Sequence, residues 1–182
     1  MDPALAIVPM GLGHLRQVLD LGHEVFDITT KPYTSWSLTS VAEHLDSPDN
    51  ACWVALDSDR VVGFVLGSME FEHRDDWAYL EWIAVSPDMQ GRGIARRLVD
   101  ICSEALFARG AKRIVTDVEN RNAASSALMT RSGFAPAATV TLFVRPNPTE
   151  PEPEDALPAV MPGTKRALIR RGRLAGEGRG AR

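Results

Sequence analysis

The sequence predicts a mixed α/β fold in which helices cover both faces of a central sheet. Along residues 1–145, runs of apolar and β-branched residues alternate with stretches of helical periodicity, in the order βααβββαβαββ. Two of the β runs, residues 51–56 and 60–71, are separated by an Asp-Ser-Asp segment, which is typical of a hairpin turn. This order predicts a mixed sheet that contains this hairpin.

The first half of the chain predicts one strand and two helices before this hairpin. Leu5 to Val8 is a short strand that stops at Pro9, and residues 14–26 carry apolar side chains at helical spacing. Residues 27–37 form a polar loop, at the end of which Ser37 can cap a short helix.

The second half adds the remaining strands and two helices. A third β run spans 77–85, and a helix extends from Gly91 to Gly110, whose left-handed conformation can end it. Residues 114–118 predict a strand. Asn122 caps a further helix that stops at Gly133, and strands over 134–135 and 139–145 complete the predicted sheet.

Charge divides the chain into a folded domain at 1–145 and a linker with a basic tail at 146–182. Residues 146–162 alternate proline with acidic residues, which favours an extended linker. Residues 163–182 carry seven Lys or Arg and one Glu, net +6, which leaves −10 for the rest of a chain with net charge −4. Because the tail has no aromatic residues for base stacking, we expect a disordered end and not a nucleic-acid anchor.

Composition also excludes several function classes. Two cysteines make no disulfide framework, and the absence of HExxH and CxxC spacings argues against a histidine- or cysteine-built metal site. No Walker motif and no complete dinucleotide fingerprint are present. The N-terminus lacks a secretory signal and the apolar runs are too short to span a bilayer, so we expect a cytoplasmic protein that is not membrane-bound.

The most informative segment is the strand, glycine turn and helix start at residues 82–97. Gly91 and Gly93 allow a ligand to approach the backbone, and the first N–H groups of the following helix are unpaired. The helix dipole favours negative charge there, so a phosphate or pyrophosphate fits the turn. An ordinary tight connection is the alternative explanation of the two glycines.

Gln90-Gly91-Arg92-Gly93-Ile94-Ala95 resembles the Q/R-x-x-G-x-G/A signature of the GNAT superfamily of acyl-CoA N-acyltransferases. Residues 80–87 resemble the central strand of that family, and 122–128 with 132–134 resemble its second motif. The motif spacings are most similar to the ribosomal-protein alanine N-acetyltransferase branch. The resemblance implies a mixed, mostly antiparallel sheet and acetyl-CoA as cosubstrate, with no metal.

The resemblance also implies the residues that contact the coenzyme. The backbone of the central strand binds the pantetheine arm, the glycine turn holds the pyrophosphate, and an asparagine contacts the arm from the other side. The corresponding residues of this chain are Ile83, Ala84 and Val85, then Gln90, Gly91, Arg92, Gly93, Ile94, Ala95 and Arg96, and finally Asn122.

Acetyl transfer to an amine needs a base, and two carboxylates are candidates. Glu81 lies on the central strand, and Asp117 lies near the end of the next strand at the position of the catalytic glutamate in the resembled branch. For either, a carboxylate that faces water or pairs with an arginine is the alternative. Met129 occupies the position where the family usually carries a tyrosine that protonates the leaving thiolate, and a thioether cannot donate a proton.

Two function hypotheses follow. The first is an N-acetyltransferase, a monomer or homodimer, whose acceptor is a primary amine such as a protein N-terminus, a lysine or a small-molecule amine. Tyr33 and Trp36 in the polar loop could wall the acceptor groove, or they could plug the end of the sheet. The second, motivated by Met129, is a catalytically weakened acyl-CoA-binding sensor or interaction module.

Overall fold

The described part of the chain contains five strands and four α-helices. The computed structural model describes residues 5–26, 36–69, 71–72, 74–141, 143, 145 and 147–149. The strands are β1 (Ala6–Pro9), β2 (Trp53–Asp57), β3 (Arg60–Ser68), β4 (Trp77–Val85) and β5 (Arg113–Val115). The helices are α1 (Leu15–Val25), α2 (Leu38–Asp46), α3 (Ile94–Ala108) and α4 (Ala123–Arg131). Tyr33 and most of the predicted linker and tail lie outside the described residues.

The strands form one sheet in the order β1-β2-β3-β4-β5. The first three pairings are antiparallel, and β4 pairs with β5 in parallel. The predicted hairpin is confirmed, because β2 and β3 pair antiparallel across the turn after Asp57. The mixed, mostly antiparallel sheet expected from the sequence is therefore confirmed.

Helices cover both faces of the sheet. On one face α1 packs against β3 and β4, and α2 packs against β3; on the other, α3 packs across β2, β3 and β4. Each face has its own hydrophobic cluster. The largest fully buried members are Phe64 and Leu66 on the α1 face, and Leu80, Ile94, Leu98 and Leu106 on the α3 face.

The predicted helix boundaries at Ser37, Asn122 and Gly133 are confirmed by their hydrogen bonds. Ser37 Oγ accepts from the Ser40 N–H at 3.2 Å, and Asn122 Oδ1 accepts from the Ser125 N–H at 3.0 Å. At the end of α4, Gly133 has φ +87°, and the next N–H bonds to the Met129 carbonyl at 3.0 Å. Polar caps in the sequence thus fix where these two helices begin.

The predicted strands at 134–135 and 139–145 are wrong for the residues that the structure describes, and the strand predicted at 114–118 is shorter. No strand is present among the described residues after β5, and residues 135–141 are all exposed. β5 is three residues long and is the last strand of the sheet, and none of the described residues after it pairs with it. Strand-forming composition does not suffice without a partner and a buried face.

Candidate active site

β4 and β5 pair at one end and separate at the other. Their parallel pairing has three rungs, the last between Tyr79 and Val115. β4 continues through Leu80–Val85, and among the described residues no strand lies beside that stretch on the β5 side. We call this opening the fork. Its β4 edge carries backbone N–H and C=O groups that the sheet does not use, and it includes the predicted coenzyme contacts Ile83, Ala84 and Val85.

A β-bulge in β4 lies where the fork begins. Leu66 of β3 faces Trp82, whereas the next residue, Gly67, faces Leu80, so Glu81 is the extra residue of the bulge. Glu81 and Trp82 consequently face the same side of the sheet: Glu81 contacts His44 of α2, and Trp82 packs against Trp36. The bulge therefore turns a carboxylate toward the α1–α2 face at the base of the fork.

The Glu81 carboxylate contacts a buried imidazole. Glu81 Oε2 lies 2.9 Å from His44 Nε2, and the two side chains are 15% and 2% exposed. His44 Nδ1 lies 2.7 Å from the Ser40 carbonyl oxygen, which can only accept, so Nδ1 carries a proton.

The second predicted carboxylate lies near the same place. Asp117 is exposed, two residues past the end of β5, and its Oδ1 accepts a hydrogen bond from the Tyr79 hydroxyl. Tyr79 is 3% exposed and packs on Phe71, with ring centroids 5.8 Å apart. Because Tyr79 precedes Glu81 by two residues on β4, the structure brings both predicted carboxylates to the base of the fork.

The turn after β4 has the geometry of an anion site. Gly91 and Gly93 have φ of +77° and +75°, and a Cβ added at either would meet nothing within 4 Å. Gly93 is the N-cap of α3, and Arg97 is the first residue whose N–H bonds back to it, at 3.1 Å. The N–H groups of Ile94, Ala95 and Arg96 therefore have no carbonyl one turn earlier within the helix.

Side chains hold this glycine turn (Gln90–Gly93) against the sheet. Gln90 Nε2 donates to the Val85 carbonyl at 3.2 Å, which joins the start of the turn to the end of β4. Asp88 accepts from Arg60 of β3 at 2.8 Å and from the Ser86 hydroxyl. Arg60, together with Ser86, holds the pKa of Asp88 below its ordinary value. The ion pair with Arg60 was not predicted from the sequence.

α4 carries the two remaining motif positions. Asn122 is exposed and its side-chain oxygen caps the helix; contact between this residue and a coenzyme stays a prediction. Met129 is 6% exposed and packs in the cluster on the α3 face. The structure therefore gives Met129 a packing role and supplies no proton donor there.

Trp36 is part of the core. It is 4% exposed, stacks on Phe64 with ring centroids 5.2 Å apart, and donates its indole N–H to the Leu19 carbonyl at 2.9 Å. These contacts agree with the alternative in which it plugs the end of the sheet. A contact between Trp36 and an acceptor stays a prediction, as does any role of Tyr33.

Sequence reasoning missed His44 and Tyr79. His44 follows Val41 by three residues on the buried side of α2, and a buried polar residue on an apolar helix face is a signal that could have singled it out. Tyr79 gave no comparable signal in a strand rich in aromatics. Among the described residues, no group of three or more His, Cys, Asp or Glu side chains could hold a metal ion, and no helix is long and apolar enough to cross a membrane.

The match to a family model decides the family. Residues 22–134 match the model of the acetyltransferase (GNAT) family, which is more than half of the chain. The chain belongs to the GNAT acetyltransferase family. The matched segment contains β4, the fork, the glycine turn and α4, so the resemblance predicted from the motifs is confirmed.

Two curated proteins match parts of this GNAT domain. A mycothiol acetyltransferase from Beutenbergia cavernae is 45% identical over 56 residues, which is 31% of this chain and 19% of that protein. N-alpha-acetyltransferase 30 from Schizosaccharomyces pombe is 33% identical over 84 residues, 45% of this chain and 55% of that protein. The chain thus spans only about a fifth to about half of the length of these relatives.

Solved structures share the GNAT fold. The aminoglycoside N-acetyltransferase AAC(6')-Iy in complex with CoA has a TM-score of 0.65 at 21% identity, covering 79% of this chain and 95% of that one. The ribosomal-protein-S18-alanine N-acetyltransferase from Escherichia coli has a TM-score of 0.63 at 22% identity, covering 75% and 81%. These likenesses establish the fold and do not choose between acceptors.

Proposed function

We propose that this GNAT domain transfers an acetyl group from acetyl-CoA to a primary amine. One observation carries the proposal: the open edge of β4 leads directly from a carboxylate at the bulge to the glycine turn at the N-terminus of α3. An extended thioester ligand with a pyrophosphate needs this combination of an unpaired strand edge and an anion site at one end.

Acetyl-CoA is proposed to lie along the fork. The backbone at Ile83, Ala84 and Val85 would hydrogen-bond the pantetheine arm, and the turn from Gln90 to Arg96 would receive the pyrophosphate. Gly91 and Gly93 support this placement, because both have positive φ and open space where a side chain would start. Asn122 would contact the arm from α4 through its amide nitrogen while its oxygen caps the helix.

The proposed reaction is a direct transfer. The ammonium group of the acceptor loses a proton to a carboxylate, the neutral nitrogen attacks the thioester carbonyl, and the C–S bond then breaks to release the thiolate of CoA. A backbone N–H at the fork edge would stabilise the developing oxyanion. As the C–S bond breaks, the nitrogen loses its second proton to water or to the thiolate. The products are the acetylated amine and CoA, and the proton held by the carboxylate returns to water.

Glu81 and Asp117 are the candidate bases. Glu81 is supported by its position in the bulge and by its low exposure, which removes competing water. Asp117 is supported by its place two residues past the end of β5, where its Oδ1 accepts a hydrogen bond from the Tyr79 hydroxyl. Separate Glu81→Gln and Asp117→Asn variants distinguish the two, since loss of the true base lowers the rate by about 100-fold or more.

Met129 favours a second candidate function, an acyl-CoA-binding sensor without turnover. Met129 is buried at the position where the family usually carries a tyrosine, and its thioether has no proton to donate. A thiolate is nevertheless a tolerable leaving group, because the pKa of a free thiol is only about 8.5. The enzyme is therefore the first proposal and the sensor the second.

The acceptor is proposed to be a protein N-terminus, a lysine or a small-molecule amine. The names of the similar proteins are those of a mycothiol acetyltransferase, an N-alpha-acetyltransferase and an aminoglycoside N-acetyltransferase, so together they do not choose one acceptor. Of these acceptors we propose a protein N-terminus first, because N-alpha-acetyltransferase 30 matches 84 residues of this chain and the mycothiol acetyltransferase matches 56.

A thiol-release assay tests the proposal. Acetyl-CoA is offered with free amines, polyamines, aminoglycosides and peptides of different N-termini, while calorimetry measures coenzyme binding in parallel. We expect thiol release with one acceptor class. Coenzyme binding with no release for any acceptor, unchanged by Met129→Tyr, would support the sensor, and absence of both binding and release would overturn both functions.

A further inference from the structure

We propose that His44 is a positioning residue for Glu81, acting from α2 on the base of the proposed acetyl transfer. This inference rests on the proposed function. Its structural basis is the contact between His44 Nε2 and Glu81 Oε2 at 2.9 Å, formed by two side chains that are 2% and 15% exposed.

The imidazole is itself held in place. Nδ1 donates to the Ser40 carbonyl one helical turn earlier at 2.7 Å, which fixes the ring orientation. Ser40 in turn belongs to the N-terminal cap of α2, where its N–H and side chain bond to Ser37. The cap, the helix and the ring therefore form a rigid support behind the carboxylate.

The contact with His44 acts on the side-chain conformation of Glu81. Glu81 is the extra residue of the bulge in β4, and a glutamate side chain has several rotamers. The 2.9 Å contact with the buried imidazole restricts these rotamers and so sets the position of the carboxylate.

Two substitutions separate positioning from a merely structural role. In His44→Asn, the amide nitrogen lies as far from Cβ as Nδ1 does, so it keeps the bond to Ser40 but cannot reach Glu81. In His44→Gln, the amide nitrogen extends by one bond and can donate to Glu81. We expect His44→Asn to lower kcat by about 10- to 100-fold with KM for acetyl-CoA unchanged, and His44→Gln to restore most of kcat.

A double-substitution cycle completes the test. If His44 acts through Glu81, His44→Asn costs nothing further in kcat when added to Glu81→Gln. Thermal unfolding and calorimetric CoA binding confirm that each variant is folded. Equal losses in the Asn and Gln variants, or an additive cycle, would overturn the role of His44. Failure of the unmodified chain to acetylate any amine would instead overturn the proposed function, and the role of His44 with it.

Discussion

The Tyr79 hydroxyl donates a hydrogen bond to Asp117 Oδ1 beside the last rung that joins β4 and β5. Tyr79 is in that rung, paired with Val115, and Asp117 follows two residues later. Side chains thus continue the connection between the two strands where the backbone ladder stops. This bond marks the point at which the fork begins.

Tyr79→Phe is expected to loosen the base of the fork. The ring still packs on Phe71, but the Asp117 carboxylate loses its donor. Because Asp117 is exposed and can be rehydrated, the free energy of unfolding should fall by only about 1 kcal/mol. Urea unfolding measures the change. Asp117→Asn, which keeps an acceptor oxygen, is the matched control with a smaller loss, and an unchanged midpoint for Tyr79→Phe would contradict the expectation.

Gly93→Asp is expected to abolish coenzyme binding. The substitution places a side chain and a negative charge at the N-terminus of α3, where we place the pyrophosphate. Calorimetry with CoA measures the loss. Retained affinity would refute the placement of the pyrophosphate.

Gly110→Asp separates this effect from backbone strain. Gly110 follows α3 at its other end, has φ +97°, and also offers open space to an added Cβ. Both substitutions should therefore lower the free energy of unfolding by about 1–3 kcal/mol through the left-handed backbone. Only Gly93→Asp should change CoA affinity, and equal losses of affinity in the two variants would indicate a general defect.

Gly22→Ala is expected to destabilise the domain although alanine favours helix. A Cβ at Gly22, inside α1, would lie 2.1 Å from the ring of Trp36. The ring cannot easily move, because it is bonded to Leu19 and stacked on Phe64. Helix propensity gains about 1 kcal/mol and overlap in a packed core costs about 1–3 kcal/mol or more, so the overlap should win.

Gly11→Ala is the control for Gly22→Ala. Gly11 has φ −125°, which any residue adopts, and an added Cβ would meet nothing within 4 Å. Its thermal midpoint should stay within a degree or two of the unmodified chain, as expected for a change of a few tenths of a kcal/mol. If Gly22→Ala were as stable as Gly11→Ala, the close packing of Trp36 on α1 would be refuted.

Local chemistry explains which parts of the fold were predictable. Ser37, Asn122 and Gly133 act through hydrogen bonds within four residues of themselves, so their positions in the sequence sufficed to place helix ends. The glycine turn was also predictable from local sequence, because its conformation depends on the positive φ of Gly91 and Gly93 themselves. The family motif supplied the predicted coenzyme contacts. The structure places Ile83–Val85 along the open edge of β4, Gln90–Arg96 at the N-terminus of α3 and Asn122 at the N-terminus of α4.

Long-range pairing explains what the sequence could not predict. A strand forms only where a partner edge and a buried face are available, and none of the described residues after β5 is in a strand. His44 meets Glu81 because a bulge turns the carboxylate toward α2. The bulge cannot be seen in the sequence of β4, because this strand carries apolar residues on both faces. The acceptor, a cytoplasmic location and the role of 146–182 stay predictions.

The two buried thiols predict a loss of stability in alkali. Burial raises the pKa of the Cys52 thiol from 9.0 to about 11, and it raises the pKa of the Cys102 thiol by a larger amount. Between pH 9 and 11 the unfolded chain therefore releases thiol protons that the folded chain keeps. The free energy of unfolding should fall with pH in this window, by up to about 1.4 kcal/mol per pH unit for each thiol.

Cys52→Ala isolates this contribution from other groups that titrate in alkali. The substitution lowers stability at every pH through lost packing, but it removes one raised pKa, so the curve of unfolding free energy against pH should be flatter above pH 9. Urea unfolding at intervals from pH 8 to 10.5 measures both curves. Parallel curves for the two proteins would show that the Cys52 thiol ionises as readily in the folded chain as in the unfolded one, and that its burial does not exclude water.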